Sequence, residues 1–123
     1  MATKRTVDLI TEAFSDVMTA RRKYVLKKPD GSLLKEIYFP PLTRFDRKKA
    51  QAAAGTDDAL TISTRLLCQI AENEDGSKAF ASADAENLQR FLPESVLNEL
   101  ELFMMDIQVD MNTAKNESSE ITG

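Results

Sequence analysis

Histidine and tryptophan are absent from this sequence of 123 residues, and Cys68 is its one cysteine. A single cysteine can form neither an internal disulfide nor a multi-cysteine metal site. Without histidine, the chain lacks the commonest general base, the Ser-His and Cys-His nucleophile pairs, and the usual ligand of zinc. The composition therefore predicts a protein that is not an enzyme and that needs no metal or cofactor.

Glycine-rich loops and long apolar runs are missing as well. The four glycines lie far apart, which excludes a glycine-rich phosphate-binding loop. A calcium-loop register around Asp75-Gly76 would place Ala71 and Ser82 where carboxylates are required, so this step is predicted to be a turn. The longest run of large apolar residues, Leu102–Met105, is far shorter than the roughly 20 residues that cross a bilayer. No signal-peptide pattern is found, and we expect a cytoplasmic protein without a membrane partner.

Charge is distributed unevenly along the chain. Residues 1–50 carry 12 basic and 6 acidic residues, a net charge of +6, whereas residues 51–123 carry 4 and 14, a net charge of −10. If the two halves lie on different faces, copies can associate head to tail, a geometry that builds rings or open spirals. If the halves fold against each other, their charges are neutralised within one monomer. We expect a weak homo-oligomer. The candidates for its positive contact surface are Arg44, Arg47, Lys48 and Lys49.

Hydrophobic periodicity predicts the fold class. Apolar residues recur at helical spacing in four segments, and a fifth, residues 43–55, is rich in helix-forming residues. A turn sequence, Pro29-Asp30-Gly31-Ser32, separates two short extended stretches and predicts one β-hairpin near residues 23–39. We expect a mainly α fold, a bundle of about five helices with that hairpin. Residues 1–111 form a single domain in this interpretation, and residues 112–123 form a disordered acidic tail because large apolar side chains nearly vanish there. The helices are predicted at 6–20, 43–55, 56–72, 82–92 and 93–111.

Capping chemistry predicts several helix ends in the middle of the chain. Thr43 with Asp46 three positions later is a variant of the capping box, and Gly55 is placed to end the same helix. The next helix is predicted to begin at Thr56 or Asp57. It is apolar over much of its surface and is the expected centre of the core, where Cys68 acts as a small hydrophobic residue rather than a reactive thiol.

Two helices carry apolar surface that could serve a partner. The first helix, which Thr6 is predicted to cap, has one apolar face. The last helix is apolar over more than half of its circumference. It is also rich in methionine, whose flexible side chain adapts to partner surfaces of irregular shape. Burial within the monomer is the other explanation for the last helix. The partner-binding candidates are Phe14, Val17, Leu102, Met104, Met105 and Val109.

The middle of the chain resembles a known family. Pro41-Leu42-Thr43 opens a helix, and Asp75-Gly76 is followed by Phe80, Asp84 and Leu88 at successive steps of four residues. This pattern is similar to that of the tail assembly chaperones of long-tailed (siphovirus) bacteriophages and prophages, the family of the lambda G protein. The broader similarity covers roughly residues 33–109. The first helix and the acidic tail have no match in it.

The resemblance implies a non-enzymatic role in virion morphogenesis. Proteins of this family bind the tape measure protein, a long and apolar helical rod, keep it soluble, and promote polymerisation of the tail tube around it. They act in the host cytoplasm and are absent from the mature virion. Many of their genes also yield a longer product by ribosomal frameshifting, whose extra domain recruits the tail tube protein. If this holds here, a slippery sequence is expected near the codons for Lys115 and Asn116.

A different function is suggested by the basic segment 44–49. Four positive charges in six positions could contact phosphates, which would make the protein a small nucleic-acid-binding phage or bacterial regulator. Phe45 is the only aromatic residue in this segment, and a solvated helix face explains the same charges. A hydrolase of unknown type is the third interpretation, which the missing bases disfavour.

Overall fold

Most of the helices and strands lie where local sequence signals predict them. The computed structural model describes residues 4–106, in which six helices and one antiparallel hairpin follow one another. The predicted mainly α fold with a single hairpin is confirmed. The elements are α1 (Thr6–Ala13), α2 (Ser15–Thr19), β1 (Arg22–Lys27), β2 (Leu33–Phe39), α3 (Arg44–Ala54), α4 (Ala59–Ile70), α5 (Asp84–Phe91) and α6 (Glu94–Met104).

The helix predicted at 6–20 is divided into α1 and α2, which accounts for six helices instead of about five. Phe14 lies between them with φ −102° and ψ 5° and bends the segment. The helical hydrogen bonds continue across the bend, because the Phe14 N–H donates to Ile10 at 3.1 Å and the Phe14 carbonyl accepts from Met18 at 3.0 Å. The predicted cap at Thr6 is wrong by one position. Arg5 is the N-cap residue, and its side chain makes no capping hydrogen bond.

The hairpin is a regular antiparallel pair over most of its length. Arg22 lies opposite Phe39 and Lys27 opposite Leu33, with one irregularity next to Lys27. Gly31 in the connecting turn has φ +90°, a left-handed conformation that favours glycine. The sequence pattern therefore located both the strands and the turn.

The start and end of α3 follow the predicted chemistry. The Thr43 hydroxyl accepts from the Asp46 N–H at 3.1 Å, and the Asp46 carboxylate accepts from the Thr43 N–H at 3.0 Å. This reciprocal pair satisfies two N–H groups that the helix leaves free. Gly55 ends the helix in the left-handed region, with φ +64°. Both predictions are confirmed.

The start of α4 differs from the prediction by one or two residues. Asp58 is the N-cap, and its carboxylate accepts from the Thr61 N–H at 3.0 Å. The Thr56 hydroxyl accepts from the Asp58 N–H at 3.2 Å and so supports the capping residue instead of replacing it. Thr56, Asp57 and Asp58 are all favourable N-cap residues, and the sequence alone does not show which of them caps the helix. The helix that begins at Asp84 was similarly predicted to begin at Ser82.

The core forms where α4 and α6 meet β2. The buried apolar side chains include Phe39 from β2, Leu67 from α4 and Leu100 from α6. Cys68 is buried, as predicted. Tyr38 in β2 pairs with Glu72, which follows α4, and the two residues exchange backbone hydrogen bonds of 2.9 and 2.8 Å. This pairing attaches the hairpin to the helical part of the fold.

The end of the last predicted helix and the tail at 112–123 lie outside the described residues. The single domain at 1–111 and the disordered tail therefore stay predictions. Within residues 4–106, no helix is both long enough and apolar enough to cross a membrane.

Candidate partner-binding site

The N-terminal helical segment presents an uncovered apolar face. Every residue from 4 to 20 is exposed. Since α1 and α2 are nearly continuous, residues spaced by three or four positions share a face, as the first-helix pattern predicts. The side chains on and beside this face are each 42–56% exposed. They are Val7, Leu9, Ile10, Phe14, Val17 and Met18.

Contacts within the segment keep it helical without packing it on the core. Lys4 forms an ion pair with Glu12 at 2.8 Å on the polar side of α1. The hydroxyl groups of Thr11 and Thr19 donate to carbonyls in the preceding turn, at 2.7 and 3.0 Å. A short amphipathic helix in water gains most of its stability from tertiary packing. An isolated pair of short helices with one open apolar face is therefore suited to a partner that covers that face.

Two arginines attach the base of this segment to the rest of the fold. Arg21 donates to the carbonyls of Asn73 and Glu74 at 3.1 and 2.9 Å, and its guanidinium lies 4.9 Å from the centre of the Tyr38 ring. Since α2 ends at Thr19 and β1 begins at Arg22, Arg21 lies in the link between them.

Arg22 binds the C-terminal end of α6. Its guanidinium donates to the carbonyls of Phe103 and Met104 at 2.6 and 3.1 Å and lies 4.5 Å from the centre of the Phe103 ring. Asp106 lies 3.6 Å from the same guanidinium. Carbonyls at a helix C-terminus have no intrahelical donors and carry partial negative charge, so a cation is favourable there. This contact fixes the position at which the N-terminal segment leaves the core.

An apolar groove begins at this junction. Val17 lines a cavity of about 300 Å³ together with Leu42, Met104 and Met105, and Arg22 borders it. A second cavity of about 400 Å³ continues from it and shares Leu42 and Met105. We call the two cavities together the junction groove. Leu42 follows two prolines and belongs to no periodic pattern, so nothing in the sequence indicates that it is part of a binding site.

The predicted partner-binding residues divide between surface and core. Phe14 and Val17 are exposed, and Val17 reaches the junction groove. Met105 is partly buried and lines both cavities, and Leu102 is partly buried on α6. Met104 is 1% exposed, so a partner cannot reach most of it. Val109 lies outside the described residues.

Aromatic packing explains why the last helix shows little apolar surface. The Phe103 ring meets Tyr24 and Phe39 edge to face, with ring centres 5.1 and 5.7 Å apart. Leu100 and Met104 lie in the core on the adjoining side of α6. Most of the apolar surface of α6 is therefore buried within the monomer, as the second explanation for the last helix predicts. The exposed apolar face lies on α1 and α2 instead.

The predicted self-association residues also fall into different environments. Arg44 and Arg47 line the second cavity of the junction groove beside Met105. Lys48 is exposed, and Lys49 lines a separate pocket formed with α4. The structure thus brings two basic residues to the edge of the apolar groove, which the sequence treated as a separate surface.

Two buried ionisable groups lie away from the groove. Burial raises the pKa of the Cys68 thiol to about 11, with a smaller contribution from the negative charge of Asp84. Burial also raises the pKa of Glu101, although the Thr64 hydroxyl donates to its carboxylate at 2.8 Å and opposes the shift. Among residues 4–106, no group of three or more acidic or cysteine side chains is arranged to hold a metal ion.

Comparisons with known proteins give a similarity to solved structures. No family model matches the chain, and no curated protein matches it. Among solved structures, the chain is similar to one described as "Structure of bacteriophage HK97 tail assembly chaperone". The two are 12% identical, and the alignment covers 78% of this chain and 97% of that chain with a TM-score of 0.47.

Proposed function

We propose that this protein is a phage tail assembly chaperone that binds the tape measure protein, keeps it soluble and promotes tail tube assembly around it. The observation that carries the proposal is the uncovered apolar face of α1 and α2. The spacing of Asp75-Gly76, Phe80, Asp84 and Leu88 supplies the family resemblance that selects this partner. The tape measure protein of such phages is an apolar helical rod, which is the kind of ligand that an apolar helix face accepts.

The size of the face supports a useful affinity. Fully burying one large apolar side chain is worth about 1.5–3 kcal/mol. Covering the exposed halves of six such side chains would therefore contribute on the order of 4–9 kcal/mol before the costs of association. This range suits a chaperone, because its partner must later be released to the growing tail.

Basic residues beside the groove suggest how copies follow one another along a rod. Arg44 and Arg47 lie next to Met105 in the junction groove, and most acidic residues belong to the second half of the chain. A head-to-tail contact between these charges gives a weak homo-oligomer that weakens as salt is added. Sedimentation that finds the same species at low and high salt would remove this part of the proposal.

The remaining parts of the proposal follow from the same role. The protein acts in the host cytoplasm and does not enter the mature virion. A longer frameshifted product brings in the tail tube protein. Sequencing of the gene and its neighbours tests the frameshift and the partner, because a slippery sequence near the codons for Lys115 and Asn116 and a tape measure gene downstream are expected.

Co-expression with the tape measure protein encoded beside this gene tests the main proposal. The wild-type chain should keep that protein in the soluble fraction. A Phe14→Asp/Val17→Asp variant should leave it in the pellet, because two carboxylates would be placed in the covered face. The matched control is Phe91→Asp, since Phe91 is 78% exposed on α5, away from the N-terminal segment.

The outcome separates the proposal from its rivals. Equal solubilisation by the wild type and the Phe14→Asp/Val17→Asp variant would refute binding through the α1–α2 face. A wild-type chain that leaves the rod insoluble would refute the chaperone function. The nucleic-acid-binding alternative predicts tight, salt-sensitive binding in a gel shift and its loss when Arg44 and Arg47 are replaced by glutamine.

A further inference from the structure

A positively charged pocket lies apart from the junction groove. Its volume is about 610 Å³, within the range of pockets that hold ligands, and it lies between α3, α4 and segment 78–82. Its walls include the small or apolar side chains of Ala53, Cys68 and Phe80. It shares no lining residue with the junction groove.

Three cations from three different parts of the chain border this pocket. Lys49 comes from α3, Arg65 from α4 and Lys78 from the segment that follows the Asp75-Gly76 turn. None of the three forms an ion pair among the residues that the structure describes. No carboxylate lines the pocket. Its charge therefore favours an anionic ligand.

The backbone at one wall of the pocket has polar groups that the fold itself does not pair. Lys78 forms an isolated antiparallel bridge, and the chain bends at Ala79 and Phe80. Glu72 pairs with Tyr38 on one side, and on its other side it lies opposite Lys78. The bonds that flank this second pair run from Asn73 N–H to the Ser77 carbonyl at 2.8 Å and from Ala79 N–H to the Ala71 carbonyl at 3.0 Å. In such a non-hydrogen-bonded pair, the N–H and C=O groups of each residue point away from the other.

The backbone N–H and C=O groups of Lys78 and Phe80 make few hydrogen bonds within the protein. Across residues 4–106, the N–H groups of Lys78 and Phe80 and the carbonyl of Phe80 make no hydrogen bond. The Lys78 carbonyl has only the Asn73 side chain, at 3.4 Å. Free backbone donors and acceptors next to each other can bind the backbone of an added peptide.

We propose that this pocket binds an extended acidic segment of a partner protein. The backbone of the segment hydrogen-bonds to the free groups of Lys78 and Phe80, its carboxylates face Lys49 and Arg65, and an apolar side chain lies against Phe80. A phosphate ion would fill little of 610 Å³ and would leave the free carbonyl without a donor, whereas an extended chain satisfies both. The inference does not depend on the proposed function, because it uses neither the α1–α2 face nor the junction groove.

A peptide titration followed by NMR tests this inference on the full chain. The probe is an acetylated, amidated pentapeptide of alternating glutamate and valine, added to the ¹⁵N-labelled protein at low salt. The expected result is a set of saturable amide shifts that includes Lys78, Phe80 and Cys68. Raising the salt concentration should weaken the binding, because charge attraction provides much of it.

Charge variants identify the determinants. Lys49→Gln/Arg65→Gln/Lys78→Gln should weaken peptide binding by about 10-fold or more, since three exposed charge pairs are lost. The control Lys23→Gln/Lys27→Gln/Lys28→Gln removes the same charge from the hairpin and should change the affinity less than about twofold.

Two further titrations complete the test. The inference is overturned if the glutamate peptide produces no shifts at 78–82. It is also overturned if a glutamine-valine peptide of the same length binds equally well, because charge would then not select the ligand. Inorganic phosphate that produces the same shifts with the same affinity would show a simple anion site and would likewise overturn the proposal of a peptide ligand.

Discussion

Replacing Arg22 by alanine should destabilise the fold substantially. The change removes the guanidinium that donates to the carbonyls of Phe103 and Met104 at 2.6 and 3.1 Å. It also removes the cation that lies 4.5 Å from the centre of the Phe103 ring. The two carbonyls at the end of α6 would then depend on water, and β1 would lose its main polar contact with that helix.

The size of the effect follows from these contacts. A hydrogen bond to a charged group contributes about 1.5–3 kcal/mol, and an exposed cation–π contact about 0.5–1 kcal/mol. The Arg22 side chain is 33% exposed, so its contacts are partly screened by solvent and the lower part of each range applies. Both hydrogen bonds come from the same nitrogen, Nη2, and count as one contribution, so we expect a loss of about 2 kcal/mol in the free energy of unfolding. For a chain of this size, that loss lowers the melting temperature by about 6–12 °C.

Urea unfolding followed by circular dichroism measures this difference. Arg22→Lys should fall between the wild type and Arg22→Ala, because lysine keeps the charge but not the planar guanidinium. Lys23→Ala is the matched control, since the Lys23 side chain is 50% exposed and its ion pair with Glu36 is 3.8 Å long. It should cost less than about 0.5 kcal/mol. If Arg22→Ala is as stable as Lys23→Ala, the reasoning about the α6 terminus is refuted.

Three other changes give distinct outcomes. The pKa of Glu101 is higher in the folded than in the unfolded protein, so the contribution of this carboxyl to stability is complete at low pH and is lost as the pH rises. Glu101→Gln should therefore be more stable than the wild type at pH 7 and should lose that advantage near pH 4, as urea titrations would measure. The Cys68 thiol, with a pKa of about 11, should resist iodoacetamide at pH 8 in the native state and react in urea, as mass spectrometry would record; rapid native labelling would contradict its burial. Gly55→Ala should lower the free energy of unfolding by about 1 kcal/mol, because a side chain is strained at φ +64° although no atom lies within 4 Å of the added carbon. An unchanged melting temperature would disprove this.

Features that depend on neighbouring residues could be predicted from the sequence. The capping box of Thr43 and Asp46, the helix end at Gly55 and the hairpin turn each involve groups within five positions of one another. Their chemistry is local, so a short stretch of sequence contains all of it. The burial of Cys68 followed from the apolar periodicity of its helix.

Features that depend on distant residues could not be predicted in the same way. Whether an apolar helix is covered depends on what the rest of the chain places against it, and periodicity is the same in either case. Met104 is therefore buried, while Phe14, with an equally good pattern, is exposed. Arg22 contacts carbonyls 81 and 82 positions away, which no local pattern indicates.

The account's central claim is that a partner covers the apolar face of α1 and α2. Hydrogen exchange of the full chain, alone and with the tape measure protein, measures this most directly because it reports each amide separately. The account predicts fast exchange at residues 6–19 in the free protein and strong protection of the same residues in the complex. Protection confined to other segments, with 6–19 exchanging equally fast in both samples, would contradict it.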